Sequence, residues 1–246
     1  MPPSGHDRAV VRDRDEWAQR LEWIAVEPSA QPLRISQLCV EGLGVTGAGV
    51  SMVSSRGTRG VVCATDACAA RIEDLQVSLG EGPCVDAATT GSSVLVADLA
   101  APGDLSVERW PAFMDGALTS GVRAVFAFPL RVGAIDVGAL DLYRDEPGEL
   151  SALDLTGALM AADAAAVALM RLDTGDVDAF PDDPEDRMAH QFKVHQATGM
   201  VQVQLGVTTE EAFLRLRARA FATGRLLTDI ATDVVERRLR FSTEDQ

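Results

Sequence analysis

Lysine is nearly missing from this 246-residue chain, in which Lys193 stands beside 21 arginines. That bias reads as GC-rich codon usage, not as function. Histidine is almost as scarce. His6, His190 and His195 all fall outside the stretch that reads as the first domain, which argues against a Ser-His-Asp arrangement or a histidine-ligated haem within it. The four cysteines, Cys39, Cys63, Cys68 and Cys84, come without the apolar core of a secretion signal in residues 1–8, so their even number does not imply disulfides. Cys63 and Cys68 are separated by four residues with no histidine near them, a poor zinc spacing. The cysteines are expected to be buried core thiols, and no metal or cofactor is expected. A glycine-rich phosphate loop with its Lys and Ser/Thr is missing too. Apolar stretches are broken by Asp, Arg or Gly short of the ~20 residues of a membrane span. These absences predict a cytoplasmic, non-catalytic protein that does not enter a membrane.

What is present is acidic but unevenly so. The net charge is −15, yet residues 1–186 carry 13 basic and 30 acidic side chains, a net of −17, while residues 187–246 carry 9 and 7, a net of +2. A phosphate backbone repels the first part, so only the tail is suited to reading a polyanion. The boundary is marked by residues 173–186, an acidic segment with Pro181 and Pro184 and little periodicity, which reads as an extended linker. Its Phe180 is the one residue there expected to dock.

Upstream of the linker, helical and strand patterns alternate. Residues 13–27 place Trp17, Leu21 and Ile24 at helical spacing, and residues 32–42 continue as a second helix. Strands are predicted at 47–54, 60–65 and 93–97, helices at 67–76 and 107–119, and a hairpin from 124–130 and 135–143 about a Val132-Gly133 turn. A long Ala-rich helix from Ser151 to Leu172 closes the domain, with Ser151 as its cap. The expected fold is therefore α+β, an antiparallel sheet with helices packed on it.

Certain residues in this region are more specific than the pattern. Leu79-Gly80-Glu81-Gly82-Pro83-Cys84, then Val94-Leu95-Val96-Ala97-Asp98-Leu99, then Phe126-Ala127-Phe128-Pro129-Leu130 ahead of Ile135-Asp136-Val137-Gly138-Ala139-Leu140 resemble a GAF domain, a PAS-like sensor, over about residues 15–172. That resemblance implies dimerisation, small-molecule sensing, or a scaffold. Cys63, Cys84 and Arg123 are the candidates for lining a ligand pocket. A redox role for Cys84, which follows Gly82-Pro83, is disfavoured because the domain holds no histidine to activate it.

After the linker, three helices are predicted. The first runs 188–205 and ends at Gly206, and the second begins at Thr208, where Thr208-Thr209-Glu210-Glu211 fits a capping box. Gly224 is placed for a left-handed C-terminus, and the third helix, 227–239, sets Leu227, Ile230, Ala231 and Val234 on one face. Some 50 residues make a small core, so the module is expected to lean on a second copy or on the first domain. Gln196-Ala197-Thr198-Gly199-Met200-Val201, Glu211-Ala212-Phe213, Leu216-Arg217, Ala220-Phe221 and Leu227-Thr228-Asp229-Ile230-Ala231 together resemble an ANTAR domain over residues 187–241. Ala197, Gly199, Ala212 and Ala220 are expected to be small because helices approach closely at those positions.

The resemblance implies a homodimer that holds paired RNA hairpin loops in a nascent transcript and so opposes a terminator stem. Loops expose base edges, whereas the A-form groove hides them, and arginine offers both a phosphate contact and a flat stacking face. The RNA-facing candidates are Lys193, Thr198, Arg217, Arg219 and Arg225, with Arg217 first, since it occupies the family's Leu-Arg position. Thr198 stands where the family commonly has a lysine, a departure that Lys193, one turn earlier, partly offsets. Arg215, Arg217 and Arg219 alternate on a helix and cannot all share a face. Arg237, Arg238 and Arg240 read as a helix C-terminal charge pattern. Two other functions stay open here. One is a helix-turn-helix for DNA, disfavoured by Asp229, Asp233 and Glu236 on the third helix; the other is a docking or dimerisation module with no nucleic-acid affinity.

Overall fold

Two mostly apolar stretches, Ala124–Val132 and Ile135–Arg144, buried on both faces, form the central hairpin, whose turn is tightened by Gly133 at φ 62°. The computed structural model describes residues 32–54, 57–101, 109–173 and 187–242. The helix expected at 13–27, most of the linker and Phe180 lie outside them. Elements run in the order α1 (Pro32–Gly42), β1 (Gly47–Ser54), β2 (Gly57–Ala64), α2 (Ala67–Leu79), α3 (Pro83–Thr90), β3 (Val94–Val96), α4 (Pro111–Thr119), β4 (Ala124–Val132), β5 (Ile135–Arg144), α5 (Ala152–Asp173), α6 (Arg187–Leu205), α7 (Thr209–Thr223) and α8 (Leu227–Val235). The strands form one antiparallel sheet in the order β2-β1-β5-β4-β3, with Val50 opposite Leu140 and Phe128 opposite the same Leu140 on the other side.

The two faces of this sheet differ in chemistry. One face carries Val50, Cys63, Phe126, Phe128, Leu140 and Leu142, buried against α1 and the alanine row Ala158, Ala161, Ala162 and Ala165 of α5. Alanine lets the helix approach the sheet closely, at the cost of little side-chain entropy. Ser151 caps α5 as expected, its hydroxyl accepting from the Asp154 N–H at 3.1 Å. One sequence expectation is corrected here. Residues 152–171 of α5 are long and apolar enough to cross a membrane, because Asp154, Gly157 and Asp163 dilute the run too little. The helix instead lays one side on the sheet and leaves Leu153, Leu159 and Val167 exposed.

The other face carries Ala139, Asp141 and Tyr143 of β5 with Ser51 of β1, covered by α2, α3 and α4. Trp110 and Phe113 anchor α4 there, packed edge to face at 6.3 Å. Helix α3 was missed in the sequence, where Pro83 and the glycines before it suggest only a loop. Pro83 instead opens the helix, where its missing N–H is no loss.

The three C-terminal helices close on Val194, Ala197, Val201, Ala212, Leu216, Leu227, Ile230, Ala231 and Val234, joined from the sheet domain by buried Val77 of α2 and by Val61 of β2 packed against its rim. Helix α8 stops at Val235, four residues short of expectation. Arg237 turns to φ 60°, and Arg238 folds back to Asp233 at 2.8 Å and to Glu236. Arg237 and Arg238 therefore form the turn just past the helix C-terminus, their N–H groups bonding back to the carbonyls of Val234 and Asp233.

Candidate functional site

The segment Leu79–Cys84 places five different structural demands in succession. Gly80 ends α2 in left-handed geometry at φ 67°, its N–H bonding to the Gln76 carbonyl. Glu81 reaches across the chain and accepts from the N–H groups of Ala112 and Phe113 at 2.8 and 3.0 Å, capping α4, whose own Trp110 offers no cap. Gly82 sits at φ 134°, and a Cβ there would meet Gln76 Oε1 at 2.6 Å. Pro83 starts α3, and Cys84 is delivered, fully buried, to the polar face of the sheet.

There Cys84 joins a closed network. The Ser51 and Tyr143 hydroxyls each donate to Glu73, one to either carboxylate oxygen. Gln76 Nε2 donates to Asp141 Oδ2 at 2.9 Å, and Gln76 Oε1 accepts from the Cys84 N–H at 2.8 Å. Glu73, Cys84 and Asp141 each place one donor atom within 4.8 Å of the others. Burial raises all three groups. Asp141 is pushed up to about 6, and Glu73 goes well above its ordinary range, by burial first and then by the Asp141 charge. The Cys84 thiol rises for the same two reasons. This constellation was not legible in the sequence, since its members lie on α2, α3 and β5.

Helix α2 has a second working face. Opposite the network, Asp74, Val77 and Ser78 meet the C-terminal module. Ser78 Oγ accepts from the Leu227 N–H at 3.0 Å, and Asp74 accepts from the Thr228 hydroxyl at 2.8 Å. Helix α8 has no side-chain cap of its own at Leu226, so the sheet domain supplies one, with a carboxylate at the positive end of the helix. Arg217 of α7 donates through Nε to the Ser78 carbonyl at 3.1 Å, and its guanidinium lies so close over Gly80 that a Cβ there would collide with it.

The candidate RNA residues scatter across the module. Arg217 is partly buried at this contact, and the burial lowers its pKa. Thr198 is not on the surface at all. It is 4% exposed, and its hydroxyl donates to the Val194 carbonyl at 2.7 Å. Lys193 is half-buried, and Arg225 is exposed but pairs with Asp233 at 2.8 Å. Arg219 is exposed and lines a groove of about 300 Å³ with Arg215, Arg240 and Phe241. Of these arginines, Arg215 pairs with Glu211 at 3.2 Å, so Glu211 serves that pair while Thr208 alone caps α7. Arg219 and Arg240 have no ion-pair partner among the described residues. Ala197, Ala212 and Ala220 are buried at helix contacts, but Gly199 has open space where a Cβ would stand.

The three ligand candidates of the sheet domain are likewise not brought together. Cys63 lies on the apolar face beside Ser36, Cys84 on the polar face, and Arg123 at the sheet end, paired with Asp98 at 2.8 Å. Cys63 faces the apolar side from β2, whereas helix α3 brings Cys84 onto the polar side. Cys39, Cys63 and Cys84 are buried, whereas Cys68 is exposed near the start of α2, against expectation.

A family model described as GAF domain matches residues 34–170, and one described as ANTAR domain matches residues 183–235. Among solved structures, the GAF domain of the Acinetobacter phosphoenolpyruvate-protein phosphotransferase is 9% identical, with a TM-score of 0.51 over 67% of this chain and 98% of its own. A GAF domain/HD domain protein from Geobacter sulfurreducens is 15% identical, with a TM-score of 0.48 over 61% and 97%. Free methionine-R-sulfoxide reductase from Neisseria meningitidis, solved with its substrate, is 21% identical, with a TM-score of 0.45 over 65% and 87%. At 9% identity the first of these speaks to the fold alone. No curated protein matches the chain significantly. The five-stranded antiparallel sheet with its flanking helices, the match over more than half the chain and the three-helix match behind it agree, and the chain belongs to the GAF domain family, joined here to a C-terminal ANTAR domain in the manner of signal-responsive regulators.

Proposed function

We propose that this chain is a cytoplasmic, non-catalytic regulator of transcription antitermination, acting as a homodimer whose ANTAR domains bind paired hairpin loops of nascent RNA. The observation that carries this reading is the groove of α7 and the C-terminal segment, lined by Arg219, Arg240 and Phe241 together with the Arg215–Glu211 ion pair. Cations beside an aromatic ring suit an unpaired nucleotide, the cations neutralising phosphate and the ring stacking a base. The net charge of +2 over residues 187–246, against −17 before them, supports placing the contact in this module. A DNA-reading α8 is disfavoured. Its Asp229 and Glu236 are exposed, and its Asp233 holds Arg225 and Arg238 away from any phosphate.

In this account the GAF domain holds the module through α2. Asp74, Val77 and Ser78 secure it and withhold Arg217, which occupies the family's Leu-Arg position. A signal that shifts α2 moves the population toward released modules, in which Arg217 adds to the groove. The exposed Leu153, Leu159 and Val167 of α5 support a second copy packing along that helix.

The test is fluorescence anisotropy with an RNA bearing two tandem hairpins. Arg219→Ala and Arg240→Ala should each weaken binding by ~10-fold, the loss of one charge-assisted contact. Equal weak binding by wild type and both variants would leave the module a docking unit without RNA.

A further inference from the structure

The buried polar face of the GAF sheet holds a group of donors with no cation to match them. Glu73, Cys84 and Asp141 are all fully buried, and no lysine, arginine or histidine among the described residues pairs with any of them. Glu73 receives a hydroxyl on each oxygen, and Asp141 Oδ2 receives the Gln76 amide. Asp141 Oδ1 has no hydrogen-bond partner among the described residues, although no solvent reaches it. An acceptor left bare inside a protein costs its full desolvation, so its neighbour is a missing one.

We propose that Glu73, Cys84 and Asp141 bind one divalent transition-metal ion of borderline softness, of the Zn²⁺ or Co²⁺ kind. One thiolate and two carboxylate oxygens are a donor set such ions accept, whereas Mg²⁺ and Ca²⁺ refuse the sulfur. The three donor atoms lie within 4.8 Å of one another. Metal–ligand bonds of about 2.0–2.3 Å need donor edges of ~3.5 Å, a small contraction. Ser51, Gln76 and Tyr143 serve as the outer layer that orients the donors. Space for this arrangement is kept by Gly49 and Gly82, where a Cβ would strike Glu73 Oε1 at 2.5 Å and Gln76 Oε1 at 2.6 Å. On binding, the Cys84 thiol proton and any proton held by the carboxyls leave to solvent, so two carboxylates and a thiolate face a charge of +2. Glu73 and Gln76 share α2 with the residues that hold the ANTAR domain, which makes the site a natural input to that contact.

The experiment uses the full chain, expressed with added Zn²⁺ or Co²⁺ and purified without chelators, and needs no RNA, so it fails or succeeds independently of the functional reading above. Elemental analysis should give about one metal ion per chain. The Co²⁺ form should show a sulfur-to-cobalt charge-transfer band, retained in Cys68→Ser and lost in Cys84→Ser. Asp141→Asn, a near-isosteric change, should lower metal occupancy ~10-fold or more while circular dichroism stays that of wild type. Wild-type protein that folds yet carries no stoichiometric metal overturns the proposal, and the two carboxyls then share a proton. A cobalt band that survives Cys84→Ser overturns it as well.

Discussion

Arg217 of the ANTAR domain donates to the backbone carbonyl of Ser78 in the GAF domain at 3.1 Å, across 139 positions of sequence. Beside it, Ser78 Oγ and Asp74 cap the first turn of α8. One domain thus finishes a helix of the other. A change in α2 alters both the position of the module and the order of its last helix.

Removing those caps should release the module. Asp74→Ala with Ser78→Ala deletes two interdomain hydrogen bonds worth about 1 kcal/mol each, which shifts docking roughly 30-fold. Hydrogen exchange should rise in residues 227–235 while the sheet stays protected. RNA affinity should increase in the same variant. An unchanged exchange profile would mean that Val77, Val61 and the Arg217 bond to the Ser78 carbonyl suffice to hold the module.

Glu81 should matter for stability although nothing it touches is chemical. Its carboxylate satisfies two backbone N–H groups at the start of α4. Glu81→Ala should cost ~1–2 kcal/mol in urea denaturation, with Glu81→Gln between it and wild type, since the amide oxygen still accepts.

Gly82→Ala should be worse than an ordinary glycine replacement. The position needs φ 134°, which no residue with a Cβ holds cheaply, and the new methyl meets Gln76 Oε1. A loss of roughly 1–3 kcal/mol is expected from the backbone alone, and thermal denaturation reads it. Gly199→Ala is the control, because open space surrounds that position and it lies within a helix, so it should be neutral or stabilising.

Much of this fold was readable, and the reasons are local. Ser151, Thr208, Gly206 and Gly224 act where their own chemistry places them, and the hairpin at Gly133 follows from two apolar runs flanking a Val-Gly turn. What escaped was non-local. Leu79–Cys84 is recognisable as a pattern, but that Glu81 caps a helix some thirty residues on, or that Cys84 meets Asp141, depends on how α2, α3 and β5 stack. Thr198 and Arg217 are polar residues on helices, and polarity does not say that one is buried against its own helix or that the other meets the neighbouring domain. Helix α8 ends early because Asp233 draws Arg225 and Arg238 back, a competition that helix propensity does not register.

Asp233 gives a pH dependence with a defined sign. Hydrogen bonds from Arg225 and then Arg238 lower its pKa below the usual 3.8. A depressed carboxylate contributes stability that is present above the unfolded value and lost as pH falls through the folded one. Acid titration of the module below pH ~4 should therefore be steeper in wild type than in Asp233→Asn, as read by helical circular dichroism. Parallel curves would mean the ion pairs contribute nothing in solution.

The central claim is that the ANTAR domain binds RNA loops through its arginines. The measurement that meets it most directly is affinity for a tandem-hairpin RNA across a salt series, beside a duplex DNA of equal length. The account predicts preference for the RNA and a log–log salt slope near −2, from about three phosphate contacts at ~0.7 each. It also predicts that Arg219→Ala lowers the slope by close to one contact. Equal affinity for RNA and DNA, or no binding at low salt, would contradict it.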